Sequence, residues 1–208
     1  MKRLILSLAL LSSDVLLPAT AAEPPASLAP CCRTAPTNAP PTEGSLYQLE
    51  SLWTSDLGVR VPLATFGGRI QVLALFFSRC EYACPILGQD LKRVQEALPA
   101  SIRDQVDFVL VSLDSERETP ETLAAYRREQ RLGTDHWALL TGSVDDVREL
   151  AALLGVNYRK DGRGQFAHSN LYTVLNGRGE ILRQQIGLQQ DPAPVVAAIR
   201  RALEPAGP

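Results

Sequence analysis

Long apolar runs alternate with amphipathic segments along most of the chain, and this alternation predicts strands followed by helices. Residues 70–77 and 106–113 are mostly apolar runs of strand length, which is typical of strands buried on both faces. After the first run, apolar residues recur at helical spacing at Leu87, Leu91, Val94 and Leu98. The first run therefore predicts a buried strand that leads directly into a helix.

Capping residues mark the starts of further helices. Thr119-Pro120 and Asp191-Pro192 each predict a helix start, with the first residue as the N-cap and proline in the first helical position. Ser143 predicts another start, and apolar residues follow it at helical spacing. Three helices are therefore expected after the one that follows residue 84.

Two turn signals predict hairpins. Asp56-Leu57-Gly58 predicts the turn of an N-terminal hairpin. Asn176-Gly177 predicts a two-residue turn that joins strands at residues 171–175 and 180–186. After the first hairpin the predicted order is β-α-β-α-β-α-β-β-α, which describes an α/β sandwich of the thioredoxin-like type with a mixed β-sheet.

The composition is that of an ordinary globular protein. Of the 208 residues 45% are hydrophobic, and the net charge is -2, which suits one domain, predicted at residues 44–208. The 21 basic residues are scattered and outnumbered by 23 acidic ones, so no basic stripe is present to neutralise phosphates. The sequence therefore argues against nucleic acid as a partner and favours proteins or metal ions.

Cys80 and Cys84 lie where the first buried strand ends and its helix begins. Backbone N–H groups and the helix dipole lower thiol pKa values at such a turn. A separation of four residues places both sulfurs on one side of the first helical turn, so they can bind each other or one metal ion. The alternative is that Cys84, in phase with Leu87 and Leu91, is only a small buried hydrophobe.

His168 is one of two histidines in the chain and precedes another strand-like run. An imidazole at the end of a strand can meet two thiolates from a neighbouring strand. Two thiolates and one imidazole form a three-coordinate set that suits Cu(I), whereas structural zinc needs a fourth ligand. Met1 is the only methionine, so the processed chain has no thioether to add. The pattern predicts copper, as Cu(I) with Cu(II) as an alternative, at an exchangeable site.

Four segments together resemble the Sco/SenC family of copper chaperones, which help to assemble the copper A centre of cytochrome c oxidase. The segments are Cys80-x-x-x-Cys84-Pro85, residues 110–120, residues 137–142, and His168-Ser169 before a strand. The resemblance spans residues 46–203 and implies that Cys80, Cys84 and His168 bind copper. It also implies a copper A-containing oxidase subunit as the recipient, or a related copper A enzyme such as nitrous oxide reductase.

Two residues depart from the family pattern. The family often has proline after the first cysteine and aspartate as the second acid of the stretch before Thr-Pro. This chain has Glu81 and Glu118 at those positions. Neither change removes a proposed ligand, but both can alter the shape of the loop and the electrostatics of the site.

A thiol-disulfide oxidoreductase is the alternative function, in which one thiolate attacks a partner disulfide and its neighbour resolves the mixed disulfide. Dedicated oxidoreductases more often have two residues between their cysteines, and their mechanism gives His168 no required part. Both roles can coexist, because copper binding needs reduced cysteines in an oxidising compartment. A thiol reductant and another copper carrier are therefore predicted partners. A thiol peroxidase is disfavoured, since that family has threonine where Phe77 stands.

The N-terminus has the pattern of a secretory leader. Met1-Lys2-Arg3 is a charged start, residues 4–11 are apolar, and residues 19–22 form a small-residue cleavage site. Residues 1–22 are therefore predicted to be a signal peptide, and the protein is expected to be exported to the bacterial periplasm. Asp14 interrupts an apolar stretch that is in any case shorter than a membrane span needs, so a retained membrane tether is the weaker alternative.

Residues 23–43 are rich in proline, alanine and threonine, which predicts a flexible tether. Cys31 and Cys32 lie inside it, and Pro30 is a poor residue before a lipidated cysteine. The adjacent thiols are predicted to be an auxiliary pair that captures copper or exchanges disulfides with Cys80 and Cys84. The alternative is that they have no role, since an exported tail tolerates stray residues.

Asp114 is a further candidate, because it follows the second buried strand on the side of the sheet where ligands gather. It is predicted either to orient His168 or to serve a partner surface, and the alternative is an ordinary acidic turn residue. His136 is interpreted as a loop residue, and Trp53 and Trp137 as packing residues.

Overall fold

The computed structural model describes residues 41–204. The predicted signal peptide, Cys31, Cys32 and all but the last three residues of the predicted tether lie outside the described residues. Thr42 already contacts the domain, because its hydroxyl donates to the Glu180 carboxylate at 2.6 Å and its carbonyl accepts from the Ser45 amide at 2.9 Å. Within residues 41–204 no helix has the length and apolar character needed to cross a membrane.

A seven-stranded mixed sheet forms the centre of the domain. Residues 41–204 contain nine strands, which in chain order are β1 (Leu52–Ser55), β2 (Arg60–Pro62), β3 (Ile70–Phe76), β4 (Val106–Ser112), β5 (Trp137–Thr141), β6 (Tyr158–Lys160), β7 (Phe166–His168), β8 (Leu171–Leu175) and β9 (Ile181–Ile186). The large sheet has the order β2-β1-β5-β4-β3-β8-β9, and β6 and β7 form a separate hairpin. β3, β4 and β5 are parallel to one another, whereas β1 and β8 run antiparallel to them.

In the described part of the chain, five α-helices connect and cover the strands. They are α1 (Ala83–Ala97), α2 (Ala100–Arg103), α3 (Pro120–Glu129), α4 (Val144–Leu153) and α5 (Ala193–Leu203). Thr119 and Ser143 are the N-caps of α3 and α4, as predicted, and each closes a capping box with the residue three positions later. α5 begins one residue later than predicted, with Pro192 as its N-cap, while the Asp191 carboxylate accepts from the Ala193 amide at 2.9 Å.

Both faces of the sheet are covered, so the central strands are completely buried. On one face the core contains residues of α1, α3 and α5, among them Leu87, Leu91, Leu123 and Ile199. On the other face it contains residues of α4 and of the N-terminal segment, among them Val147, Leu150, Trp53 and Phe66. Every residue of β3 and β4 is buried, as their mostly apolar runs predicted. This architecture is the predicted thioredoxin-like sandwich with its N-terminal hairpin.

The connection between β8 and β9 differs from the prediction. The Asn176 amide donates to the Glu180 carbonyl at 2.9 Å, and the Gly179 amide donates to the Asn176 carbonyl at 2.9 Å. The loop therefore holds three residues rather than two, and Gly179, with φ +78, takes the left-handed conformation instead of Gly177. The β6–β7 hairpin and the one-turn helix α2 were not predicted.

α3 and α4 end in the same hydrogen-bonded motif but with different residues at its left-handed position. After α3 the Leu132 amide donates to the Arg127 carbonyl at 2.9 Å, and the corresponding bond after α4 is 2.8 Å long. The left-handed residue is Gly155 after α4 but Arg131, with φ +52, after α3. Arg131 therefore carries the steric cost of a Cβ atom in the left-handed conformation, whereas Gly155 has no Cβ atom.

We expect Arg131→Gly to raise the free energy of unfolding by about 0.5–1 kcal/mol. A left-handed L-residue costs about 1–2 kcal/mol, and the extra chain entropy of glycine in the unfolded state offsets part of the gain. Gly155→Ala is the matched control and should lower the free energy of unfolding by about 1 kcal/mol through backbone conformation alone, since its new Cβ would meet no atom within 4 Å. Urea unfolding measures both changes, and a destabilised Arg131→Gly variant would contradict the expectation.

Candidate metal centre

The two cysteines lie at the carboxyl end of β3, where the chain turns into α1. Cys80 is half-buried, whereas Cys84, in the first turn of α1, is only 1% exposed and belongs to the core under that helix. The Cys84 amide donates to the Cys80 sulfur at 3.3 Å. Both thiols are free. Cys84 therefore has the burial that a small hydrophobe would have, but it also contacts the more accessible cysteine.

The two thiols differ in acidity. The hydrogen bond from the Cys84 side chain, followed by the backbone N–H groups of Cys84, Tyr82 and Ala83, lowers the pKa of Cys80 to about 5. The same side-chain hydrogen bond, followed by burial, raises the pKa of Cys84 well above its usual range. At neutral pH Cys80 is therefore a thiolate, and Cys84 is a thiol that donates to it.

His168 is the last residue of β7, and its imidazole faces Cys84. The Nε2 atom lies 3.9 Å from the Cys84 sulfur, and Nδ1 lies 3.1 Å from the Ser169 carbonyl oxygen. The contact to the carbonyl places the proton on Nδ1, which leaves the Nε2 lone pair directed at the sulfur. The structure thus brings together the three residues that the sequence singled out.

The Phe77 ring lies against the imidazole and the Phe166 ring packs on Phe77, an arrangement that sequence reasoning missed. The Phe77 ring is buried, and its centroid lies 6.2 Å from that of the His168 ring in an edge-on arrangement. The Phe166 ring lies 5.2 Å from the Phe77 ring. The sequence signal that could have indicated this packing is the presence of aromatic residues directly after β3, at Phe77, and at the start of β7, at Phe166. The observed packing restricts how far the imidazole can turn away from Cys84.

The two sulfurs and the Nε2 atom can close around one soft metal ion. Bonds of about 2.3 Å to sulfur and about 2.0 Å to nitrogen, at an angle of about 120°, separate the two donors by about 3.7 Å. The observed distance of 3.9 Å between Cys84 and His168 is close to that value. No complete group of three His, Cys, Asp or Glu ligands is preformed within residues 41–204, so side chains have to move for the three donors to bind one ion.

Glu118, which replaces the aspartate typical of the family, holds the segment before Cys80. Its buried carboxylate accepts from the Ser78 amide at 2.8 Å and from the Thr122 hydroxyl at 3.1 Å. Hydrogen bonds to a charged group contribute about 1.5–3 kcal/mol each. The loop after β4 therefore fixes the backbone from which Cys80 projects, which the sequence did not assign to this residue.

The Asp114 carboxylate binds cations and not His168. One oxygen accepts from Arg79 at 2.9 Å, and the other lies 3.9 Å from the Lys160 ammonium group. Arg79 also donates to the Gly164 carbonyl, in the turn between β6 and β7, at 3.1 Å. Within residues 41–204 no hydrogen bond or ion pair joins Asp114 to His168, so Asp114 does not orient the imidazole by direct contact. Its side chain is buried, and it connects the cysteine loop to the hairpin that carries the histidine.

The remaining candidates lie away from the cysteines. His136 precedes β5 at the opposite end of the parallel strands, where its Nδ1 atom lies 3.0 Å from the Asp107 carboxylate. Trp53 and Trp137 are both fully buried in the core. These positions agree with their interpretation as loop and packing residues.

An open groove of about 500 Å³ lies beside Cys80. Its lining includes Phe77, Cys80, Glu81, Tyr82, Arg163 and Phe166. Tyr82, between the two cysteines, is 80% exposed. A partner can therefore reach Cys80 through the groove, whereas Cys84 is covered by the core.

We expect iodoacetamide to modify Cys80 at a rate that is nearly constant from about pH 6 to pH 8, because a thiol with a pKa of about 5 is already ionised there. Cys84 should stay unmodified in the folded protein, since it is buried and protonated. Peptide mass spectrometry of the reduced protein distinguishes these sites from Cys31 and Cys32.

The control for that measurement is Cys84→Ala, which removes the side-chain hydrogen bond to Cys80 and keeps the one from the backbone amide of residue 84. The pKa of Cys80 should then rise, and its rate of alkylation should increase with pH across the neutral range. A wild-type rate that rises about tenfold between pH 7 and pH 8, as for an ordinary thiol, would contradict the assignment of a thiolate.

Comparisons with known proteins agree with the fold. Residues 41–204 match the protein-family model described as SCO1/SenC. A protein of Stutzerimonas stutzeri that is named as a copper-binding protein is 28% identical over 145 residues, which cover 68% of this chain and 69% of that protein.

Two solved structures share the architecture. Bradyrhizobium japonicum ScoI with copper bound has a TM-score of 0.62 and 22% identity, over 74% of this chain and 97% of that chain. BsSco, described with a disulfide switch and as a member of the Sco family of cytochrome c oxidase assembly proteins, has a TM-score of 0.63 and 24% identity, over 73% of this chain and 90% of that chain. At this level of identity, the two similarities establish the fold alone. Because the SCO1/SenC model covers most of the sequence, the chain belongs to the SCO1/SenC family.

Proposed function

We propose that this protein is a copper metallochaperone, which binds Cu(I), or alternatively Cu(II), through Cys80, Cys84 and His168 and passes it to a copper enzyme. The observation that carries the proposal is the 3.9 Å approach of the His168 Nε2 atom to the Cys84 sulfur, beside the Cys80 thiolate. An imidazole at this position has no required part in thiol-disulfide exchange. The family and the copper-binding relative support the same cargo.

The contrast between the two sulfurs suits transfer by ligand exchange. Cys84 is fixed in the core, while Cys80 faces the groove. A thiolate or thioether of the recipient can approach the ion from the groove and displace Cys80 first, while Cys84 and His168 still hold the ion. The protein itself then needs no covalent change and no turnover.

The proposed recipient is a copper A-containing oxidase subunit, with related copper enzymes as alternatives. This choice of recipient is supported by the description of BsSco as a member of a family of cytochrome c oxidase assembly proteins. A thiol reductant is a required second partner, because a disulfide between Cys80 and Cys84 would remove both sulfur ligands. Another copper carrier would supply the ion. Export to the periplasm, where such thiols oxidise, is part of the same proposal.

A thiol-disulfide oxidoreductase is the second candidate, which the low pKa of Cys80 specifically favours. The Cys80 thiolate would attack a partner disulfide and release one partner thiolate. Cys84 would then lose its proton, attack the Cys80 sulfur and release the second partner thiol. The partner gains two electrons and the two cysteines end as a disulfide, so the thiol reductant named above has to restore them.

X-ray absorption and copper stoichiometry on the reduced protein distinguish the two functions. In a Cys31→Ser, Cys32→Ser background, which removes competing thiols, we expect one Cu(I) per chain with two sulfur donors and one nitrogen donor. His168→Ala should lose the nitrogen donor. His136→Ala, which changes the other histidine, should leave the spectrum unchanged, because His136 lies at the opposite end of the parallel strands.

Failure to retain copper, together with fast thiol exchange that His168→Ala does not affect, would refute the chaperone and favour the oxidoreductase. Loss of the nitrogen donor in both histidine variants would show that the coordination is not specific to His168.

A further inference from the structure

Within residues 41–204, β7, the short strand that carries His168, is paired along only one edge. Backbone hydrogen bonds donated by the Asp161 and Ser169 amides, at 2.8 and 3.0 Å, lie at the two ends of the β6–β7 hairpin. Hydrogen-bonded and non-hydrogen-bonded pairs alternate along antiparallel strands. Counting inward from both ends, Phe166 and His168 fall in the non-hydrogen-bonded pairs. Their N–H and C=O groups therefore point away from β6.

These outward backbone groups have no partner in the described part of the chain. None of the hydrogen bonds outside the regular strands within residues 41–204 involves the N–H or C=O of Phe166 or His168, and β7 pairs with no strand other than β6. Two such residues separated by one residue present the pattern that an additional β-strand pairs with. The edge is thus ready to accept an extended segment.

The position of this edge relates it to the metal centre. Phe166 lines the groove together with Cys80, and the side chains of both Phe166 and His168 lie on the face occupied by the Phe77 ring. Residues directly opposite each other on neighbouring strands have side chains on the same face, with Cβ atoms about 4.5–5.5 Å apart. A strand added to β7 would therefore direct one of its side chains toward the cysteines.

We propose that an extended segment of the copper-accepting protein adds to the free edge of β7 and places a cysteine, methionine or histidine side chain beside His168. This inference rests on the proposed function, since it identifies how the recipient engages the loaded site. Main-chain hydrogen bonds fix the register of the added segment, and its donor side chain supplies the specificity. The ion then moves between neighbouring donors without entering solvent.

The groove defines the chemistry of the segment. The half-buried Phe166 ring gives it an aromatic surface, so apolar side chains two positions from the donor, which share its face of the added strand, fit there. Glu81 lies on the wall formed by the cysteine loop, and Arg163, with its side chain 89% exposed, lies in the turn of the hairpin. A segment that carries one charge of each sign at its ends complements both walls.

Amide hydrogen exchange with a defined peptide tests the proposal. The probe is a capped heptapeptide with a central cysteine, followed outward on each side by threonine and then valine, and ending in lysine on one side and glutamate on the other. Its control has the same sequence with alternate backbone nitrogens methylated, so that it keeps the thiol but cannot pair with a strand edge. We expect the first peptide to slow exchange at Phe166 and His168 by about tenfold or more and to remove Cu(I) from the loaded full chain faster than the methylated peptide does.

A pair of variants provides an independent readout. Gln165→Trp adds bulk to the groove without touching a proposed ligand, and Gln185→Trp makes the same change at a half-buried glutamine on β9. Both should bind one Cu(I) as the wild type does. Only Gln165→Trp should slow transfer to the unmethylated peptide, by about tenfold or more.

The outcomes separate this inference from the proposed function. Equal copper removal by both peptides, with no protection at Phe166 and His168, overturns strand addition and leaves the chaperone intact. A wild-type protein that retains no copper refutes the chaperone itself. Protection that grows with protein concentration and needs no peptide assigns the edge to a second copy of the chain. Protection that needs no peptide but is lost on deletion of residues 23–40 assigns the edge to that segment, and either result overturns a recipient strand.

Discussion

The hydrogen bond between the two cysteines is the interaction on which the rest of the site depends. It exists because β3 ends and α1 begins within a few residues, so that Cys84 is packed under the helix while Cys80 stays at its open end. Packing fixes the position of one sulfur, and the hydrogen bond then stabilises the other as a thiolate. A fixed sulfur also gives the imidazole of His168 a defined target, which a pair of mobile thiols would not.

Two buried carboxylates after β4 stabilise the backbone segment that leads to Cys80. Glu118 accepts the Ser78 amide, and Asp114 accepts the Arg79 guanidinium, so consecutive residues before Cys80 are both tied to the same loop. Charge-assisted hydrogen bonds of this kind are short and directional. Arg79 also donates to the turn of the β6–β7 hairpin. The cysteines and the histidine, which come from different elements, are therefore connected by polar contacts as well as by packing.

The sequence predicted those parts of the fold whose signal is local. The buried strands were evident from their apolar runs, and the starts of α3 and α4 from their capping residues, because burial and capping each constrain residue type directly. Cys80, Cys84 and His168 could be chosen because few residue types bind soft metals. The β6–β7 hairpin was missed because its strands are three residues long and partly exposed, so they show no clear alternation. The ion partners of Asp114 depend on tertiary contacts with Arg79 and Lys160, which no local pattern encodes.

The hairpin that the sequence did not reveal is also what separates the two candidate functions. An acidic thiol at the start of a helix and a buried neighbour serve disulfide exchange and soft-metal binding equally well, because both reactions require a thiolate. The imidazole serves only the second. It reaches Cys84 because β7 ends at His168 and because the Phe77 ring, itself packed against Phe166, lies beside the imidazole. A two-stranded hairpin thus places an imidazole beside the two thiols, as the proposed copper site requires, and leaves beside it the backbone groups with which the proposed recipient segment would pair.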